Sequence, residues 1–210
     1  MCKPQLTDMD RVVAEYKAST DEGLVNFAQS IRSGNTKNVD VRNFSIGSVS
    51  DRAATDVAAL IGIDVTGYRH TLKGVEIMHI EKRHGENGEH DHSMADITDY
   101  GRIGYILNNY DTVTLLHNAK GEVVYTTGYP DGNNNPSPMI RYEKRVNGTY
   151  CVVEAVPDSK AKVLRIISAY KENVESGDGH VLNMATKAPQ LTSEQLGLLR
   201  STPPHATIPT

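Results

Sequence analysis

Five of the eight histidines of this chain lie between His70 and His92, and two of them, His79 and His84, sit in the segment running from Gly74 to Gly85. Imidazole is the side chain whose charge changes near neutral pH, so such a cluster points to proton transfer or to a metal. The segment reads as a helix. At about 100° per residue, His79 falls within about 40° of Arg83, whereas His84 lies about 140° away, nearer Ile77 and Ile80. His79 and Arg83 therefore form one cationic stripe. His84 stands just before Gly85, a helix-ending residue, where the negative end of the helix dipole suits a general acid.

The run His90-Asp91-His92 has donors that zinc or a non-haem metal uses. It lacks a cysteine pair or a helical His-x-x-x-His, and its polar, glycine-containing surroundings read as a solvated loop. No metal ligand is assigned there. Cys2 and Cys151 lie far apart and predict no disulfide framework, and Cys151 falls in an apolar strand pattern as a small core residue.

These residues need elements to hold them. Thr7 with Asp10 reads as a capping box opening a first helix, and Asp21 to Arg32 reads as a second, stopped by Gly34. Val39 to Ile46 is extended, and Ser48 with Asp51 restarts an alanine-rich helix ending near Gly62. A strand from Tyr68 to Lys73 precedes the histidine helix. A polar loop, Glu86 to Ser93, leads to a further helix from Asp96 to Asn109.

Beyond Asn109 the period changes to two. Thr112 to His117 and Glu122 to Thr127 flank a turn at Asn118 to Gly121, Asn147-Gly148 joins Met139 to Val146 with Tyr150 to Val156, and Lys162 to Tyr170 follows. The expected fold class is α+β, with helices packed on an antiparallel β-sheet and a helical N-terminal extension. Three regions follow: 1–67, mainly helical and without a catalytic signature; 68–171, the α+β domain; and 172–210, whose composition predicts a flexible tail. The loop from Pro130 to Pro138 is expected to be exposed.

An apolar content of 38% with 23% charged residues is that of an ordinary globular protein, and no membrane span or secretory signal is legible. The chain therefore reads as intracellular, or as a piece delivered by something else. A net charge of −4 argues against a surface that coats nucleic acid, yet residues 139–170 carry six lysines and arginines against three acids. That local balance suits a phosphate-facing sheet. Strand alternation puts Tyr142 and Lys144 on one face, Arg141, Glu143 and Arg145 on the other, and Ser168 on a face with Tyr170.

The string from His79 to Gly85, the strand Ile140 to Arg145 with Asn147-Gly148, Tyr150 to Glu154, and the closing Ile167-Ser168-Ala169-Tyr170 together resemble the phage-associated branch of the barnase, EndoU, colicin and RelE-like ribonuclease superfamily. The resemblance covers residues 68–170. It implies a metal-independent endoribonuclease toxin of prophage or mobile-element type, without a cofactor, acting on RNA in the cytoplasm of a bacterial host or delivered there. It also implies an immunity or antitoxin protein, or a host protein target, as a partner, and no membrane. Such cleavage needs a base for the 2′-hydroxyl, an acid for the leaving 5′-oxygen and a cation for the phosphate, and ends in a 2′,3′-cyclic phosphate. His79, His84, Arg83, Lys144, Ser168 and Tyr170 are the catalytic candidates, with Arg141, Tyr142 and Arg145 binding substrate. One coherent site would set Lys144, Ser168 and Tyr170 on the sheet beneath His79 and Arg83.

Two other classes fit the residues. The acidic total charge and helical N-terminal region suit a non-catalytic protein that uses a nuclease-like fold to bind or inhibit a host protein or RNA. The histidine cluster suits a zinc-dependent hydrolase.

Overall fold

A computed structural model describes residues 7–126, 136–146, 148–155 and 161–172. The expected tail beyond residue 172, most of the loop 130–138, Asn147, the turn 157–160 and Cys2 lie outside the described residues.

Local chemistry sets the helix boundaries. Thr7 and Asp10 cap α1 (Asp8–Ala18) reciprocally: the Asp10 N–H donates to Thr7 Oγ1 at 3.1 Å, and the Thr7 N–H donates to Asp10 Oδ2 at 2.9 Å. The side chains of Asp21 and Ser50 cap α2 (Glu22–Arg32) and α3 (Asp51–Ile61), and Gly62 ends α3 at φ 71°, a left-handed cap that suits glycine. Strand β1 (Asn43–Ser48) precedes α3, and β2 (Arg69–Lys73) runs directly into α4 (Gly74–His84). The expected helix from Asp96 begins as a 3-10 turn, Ile97–Arg102, and continues as α5 (Ile103–Asn109). Then come β3 (Thr112–Leu115), β4 (Met139–Arg145), β5 (Thr149–Ala155) and β6 (Val163–Glu172).

The six strands form one sheet in the order β1-β2-β6-β5-β4-β3. The fold is α+β as expected, but the sheet is mixed: β2 and β6 pair in parallel, and every other neighbouring pair is antiparallel. Parallel partners need a long crossover rather than a hairpin, so no local turn signal announces them. The expected hairpin around residues 118–121 is short: His117 bridges Val123 and the Val124 N–H donates to the Leu116 carbonyl at 2.8 Å, while Tyr125 instead bridges Pro138 just ahead of β4.

One face of the sheet carries the main core. Tyr142, Tyr150, Val152, Leu164, Ile166 and Ala169 are buried there in one cluster with Val57 of α3 and Ile103, Ile106 and Leu107 of α5. Each of the valine, leucine and isoleucine side chains contributes roughly 1.5–3 kcal/mol by leaving water. The N-terminal helices belong to the same cluster through Tyr16, Leu24, Ala28 and Ile31. Tyr16 meets the Tyr150 ring edge-on at 6.0 Å and donates to Asp99 Oδ1 at 2.6 Å. His70 and Glu154 form a fully buried pair, Nδ1 to Oε1 at 2.8 Å.

Helix α4 lies along the half of β6 that β2 leaves unpaired. β2 reaches only Val163 to Arg165, and α4 contacts β6 from Glu76, bound to Arg165 at 2.6 Å, to His84, stacked on Tyr170. Ile77 and Ile80 anchor it in the core and leave His79 at the surface, its ring partly covered by its neighbours.

Candidate active site

Cross-strand register decides which side chains can meet. Directly opposite residues share a face, so Glu143, Cys151 and Tyr170 align in one row and Arg141, Val153 and Ser168 in the next. Arg145, opposite Thr149 and Glu172, ends the same face. Lys144, Tyr150 and Lys171 form a row on the other side.

His84 meets this sheet at the end of α4. Its ring stacks on Tyr170, with centroids 5.1 Å apart and planes 21° from parallel. His84 Nδ1 donates to Asp91 Oδ2 at 2.8 Å, which leaves Nε2 without a hydrogen-bonding partner among the described residues. The loop after α4 folds back to make this contact possible. The N–H groups of His90 and Asp91 donate to the Arg83 carbonyl at 3.0 and 3.2 Å, which satisfies helix-end acceptors and sets Asp91 beside the ring. Ser93 donates its N–H to Asp91 Oδ1 at 2.9 Å, and its Oγ accepts the Lys171 N–H at 3.1 Å, tying the loop to β6. Burial opposes ionisation of Asp91, but the hydrogen bonds from Ser93 and His84 outweigh it and hold the carboxyl below its usual range.

Arg141 supplies the cation on the sheet. Its guanidinium carbon lies 5.8 Å from the Tyr170 ring centroid, and Nη2 reaches Cys151 Sγ at 3.2 Å and Glu172 Oε1 at 2.9 Å. Glu143 is a second counter-ion, 2.8 Å from Nε but poorly aligned for a hydrogen bond. Burial pushes the Cys151 thiol up to about 12, against the pull of Arg141, so it stays protonated. Burial raises the Tyr170 phenol as well.

His79 and Arg83, one turn apart on α4, lie close enough to each other and to His84 for their charges to act on the His79 ring. Partial burial, followed by the charges of Arg83, His84 and Lys82, holds the His79 imidazole below its ordinary pKa. The Arg83 guanidinium has no ion pair or hydrogen bond among the described residues. Two sequence expectations need correction. Lys144 projects from the face opposite Ser168 and Tyr170 and is paired with Asp111 Oδ1 at 2.6 Å, so it does not lie with them beneath His79. Tyr142 is wholly buried edge-on against Tyr110 at 5.2 Å and cannot touch a substrate. The sequence named Asp91 only as a metal donor. Its pairing with His84 depends on how the loop returns, which no periodicity encodes.

Among the described residues no group of three or more histidine, cysteine, aspartate and glutamate side chains is arranged to hold a metal ion. No described helix is long and apolar enough to cross a membrane.

A helix delivering a histidine to one face of an open sheet, beside an arginine and a tyrosine, defines an α+β protein with a histidine–aspartate pair next to a cation. The chain belongs to the family described as phage-Barnase-EndoU-ColicinE5/D-RelE like nuclease 3, which matches residues 47–178, more than half its length. It is a nuclease of that type. No curated protein and no solved structure matches the chain.

Proposed function

We propose that the chain is a metal-independent endoribonuclease, cleaving RNA by attack of the 2′-hydroxyl on the adjacent phosphate to leave 2′,3′-cyclic phosphate and 5′-hydroxyl ends. The observation that carries this reading is the His84–Asp91 pair, stacked on Tyr170 beside Arg141. Asp91 fixes the ring through Nδ1, so Nε2 is the position that exchanges a proton with RNA, and the carboxylate stabilises the imidazolium while it exists. His79, held toward its neutral form, has the state a base needs to accept the 2′-hydroxyl proton. Arg141 and Arg83 hold charge developing on the phosphate. Ser168 and Tyr170 line the same face as hydroxyl donors, and Arg145 extends it toward flanking phosphates. Lys144, paired with Asp111 on the opposite face, takes no part.

The substrate is RNA. The protein acts as a prophage or mobile-element toxin in a bacterial cytoplasm and is held in check by an immunity or antitoxin partner. The deciding experiment incubates the purified protein with total tRNA and rRNA in EDTA and maps the ends. Cyclic phosphate ends that vanish in His84→Ala support the reading, and cleavage that needs an added divalent ion overturns it.

One observation favours a non-catalytic binder instead. Arg141 already faces Glu143 and Glu172, so a phosphate must displace a carboxylate to reach it. Intact RNA after that incubation, with tight binding of RNA or of a host protein, would establish this second reading.

A further inference from the structure

Arg32, the last residue of α2, lies before the residues that match the nuclease family, yet its side chain grips both elements that build the His84–Asp91 pair. On α4 it binds Glu81, three residues before His84: Nε donates to Oε2 at 3.0 Å and Nη2 to Oε1 at 2.8 Å. On the returning loop it binds two backbone carbonyls, Nη1 donating to Ala95 O at 2.8 Å and Nη2 to Met94 O at 2.9 Å. The Met94 N–H in turn donates to the His84 carbonyl at 2.7 Å. Tyr100 adds a 2.6 Å bond from its hydroxyl to Glu81 Oε1, so the carboxylate is fixed from two sides. The guanidinium is largely shielded, with the Arg32 side chain 16% exposed and Glu81 18%.

We infer that Arg32 is a positioning residue for the active site, locking the loop that carries Asp91 to the helix that carries His84. The inference rests on reading His84 as the proton-transfer group. Its physical basis is the planar fork of the guanidinium, which meets a carboxylate with two parallel bonds and still has N–H groups left for the two carbonyls. Lysine is a single compact charge and cannot span both partners. Without the fork, the loop keeps the Lys171 N–H to Ser93 contact and its bonds to the end of α4 but loses both carbonyl anchors that follow Ser93, so the Asp91 carboxylate is held less closely against the ring. Helix α2 thereby acquires a role in the chemistry as well as in the core.

The test uses the full chain with Arg32→Lys and Arg32→Gln. The readout is ¹⁵N-resolved NMR of the two imidazole Nδ1–H protons that face carboxylates, His84 to Asp91 and His70 to Glu154. The His70 proton, buried in the core away from this loop, reports that the fold is intact. The expected result is a shifted or exchange-broadened His84 signal with an unchanged His70 signal. Cleavage should fall by about 10²-fold in kcat with KM little changed, as for a small misplacement of a catalytic group. An unchanged His84 signal in both variants overturns the inference, as does loss of both signals together, which would make Arg32 a general fold contact. Because the NMR arm does not need turnover, failure of the parent to cleave RNA removes the nuclease reading and leaves the Arg32 result standing.

Discussion

Arg141 and Lys144, three residues apart on β4, leave the strand on opposite faces: Arg141 lies under the Tyr170 ring, and Lys144 is bound to Asp111 on the face that carries the main core. Their two charges cannot serve one phosphate. Removing the Arg141 charge by Arg141→Gln should slow RNA cleavage by roughly 10²-fold, the loss expected for one electrostatic donor, while Lys144→Gln should leave it within about threefold. Equal losses from both, in steady-state assays on one RNA, would reject the site as assigned.

Asp91 makes a prediction about acid. Its carboxyl is lowered in the folded state, so the folded protein takes up that proton less readily than the unfolded chain. The associated stabilisation is in place above the unfolded value of about 3.9 and is lost as pH falls through the lowered folded value. Urea midpoints of the parent and of Asp91→Asn should therefore converge in that acid window. Divergence on acidification would contradict the pairing.

His79 titrates in the opposite neighbourhood. Partial burial and the Arg83 charge lower its pKa, so its contribution to stability is present above about 6.5 and declines as pH falls through the folded value. Arg83→Gln should raise the His79 midpoint, read from its ring proton by NMR, and move the acidic limb of the cleavage profile the same way. An unmoved midpoint would place Arg83 too far away to matter.

The buried His70–Glu154 pair should behave as a unit. Glu154→Leu alone leaves a buried imidazole without its partner and should cost about 3–5 kcal/mol in urea denaturation, whereas the double change with His70→Phe should recover part of that. Simple additivity would show that the two side chains are not coupled.

Bacterial expression offers a test in the cell. The parent should be toxic, and His84→Ala and His79→Ala should each relieve the toxicity while both purified variants still unfold cooperatively, His84→Ala at a lower temperature because its Asp91 and Tyr170 contacts are gone. Full toxicity of the double variant would remove both histidines from the mechanism.

Capping and turn chemistry was legible because it is local. Thr7 with Asp10, Gly62, and the strands on either side of residues 147–148 all stand where spacing alone puts them. Alternation also assigned the faces within each strand correctly, with Lys144 beside Tyr142 and Ser168 beside Tyr170. It could not say which β4 face meets which β6 face, because that is settled by the register of both strands with β5. The parallel β2–β6 pairing and the His84–Asp91 contact were hidden for the same reason: each depends on where distant or looping chain returns.

The position of β6 has a consequence for synthesis. α4 leaves the ribosome first, and Tyr170, the ring His84 stacks on, is translated 86 positions later, which takes about 4–17 seconds at elongation rates of roughly 5–20 residues per second. Until β6 emerges, α4 has neither the strand it lies along nor the tyrosine and arginine row that completes the site. A nascent or prematurely terminated chain therefore carries its histidines without the strand and the row of side chains that complete the candidate site.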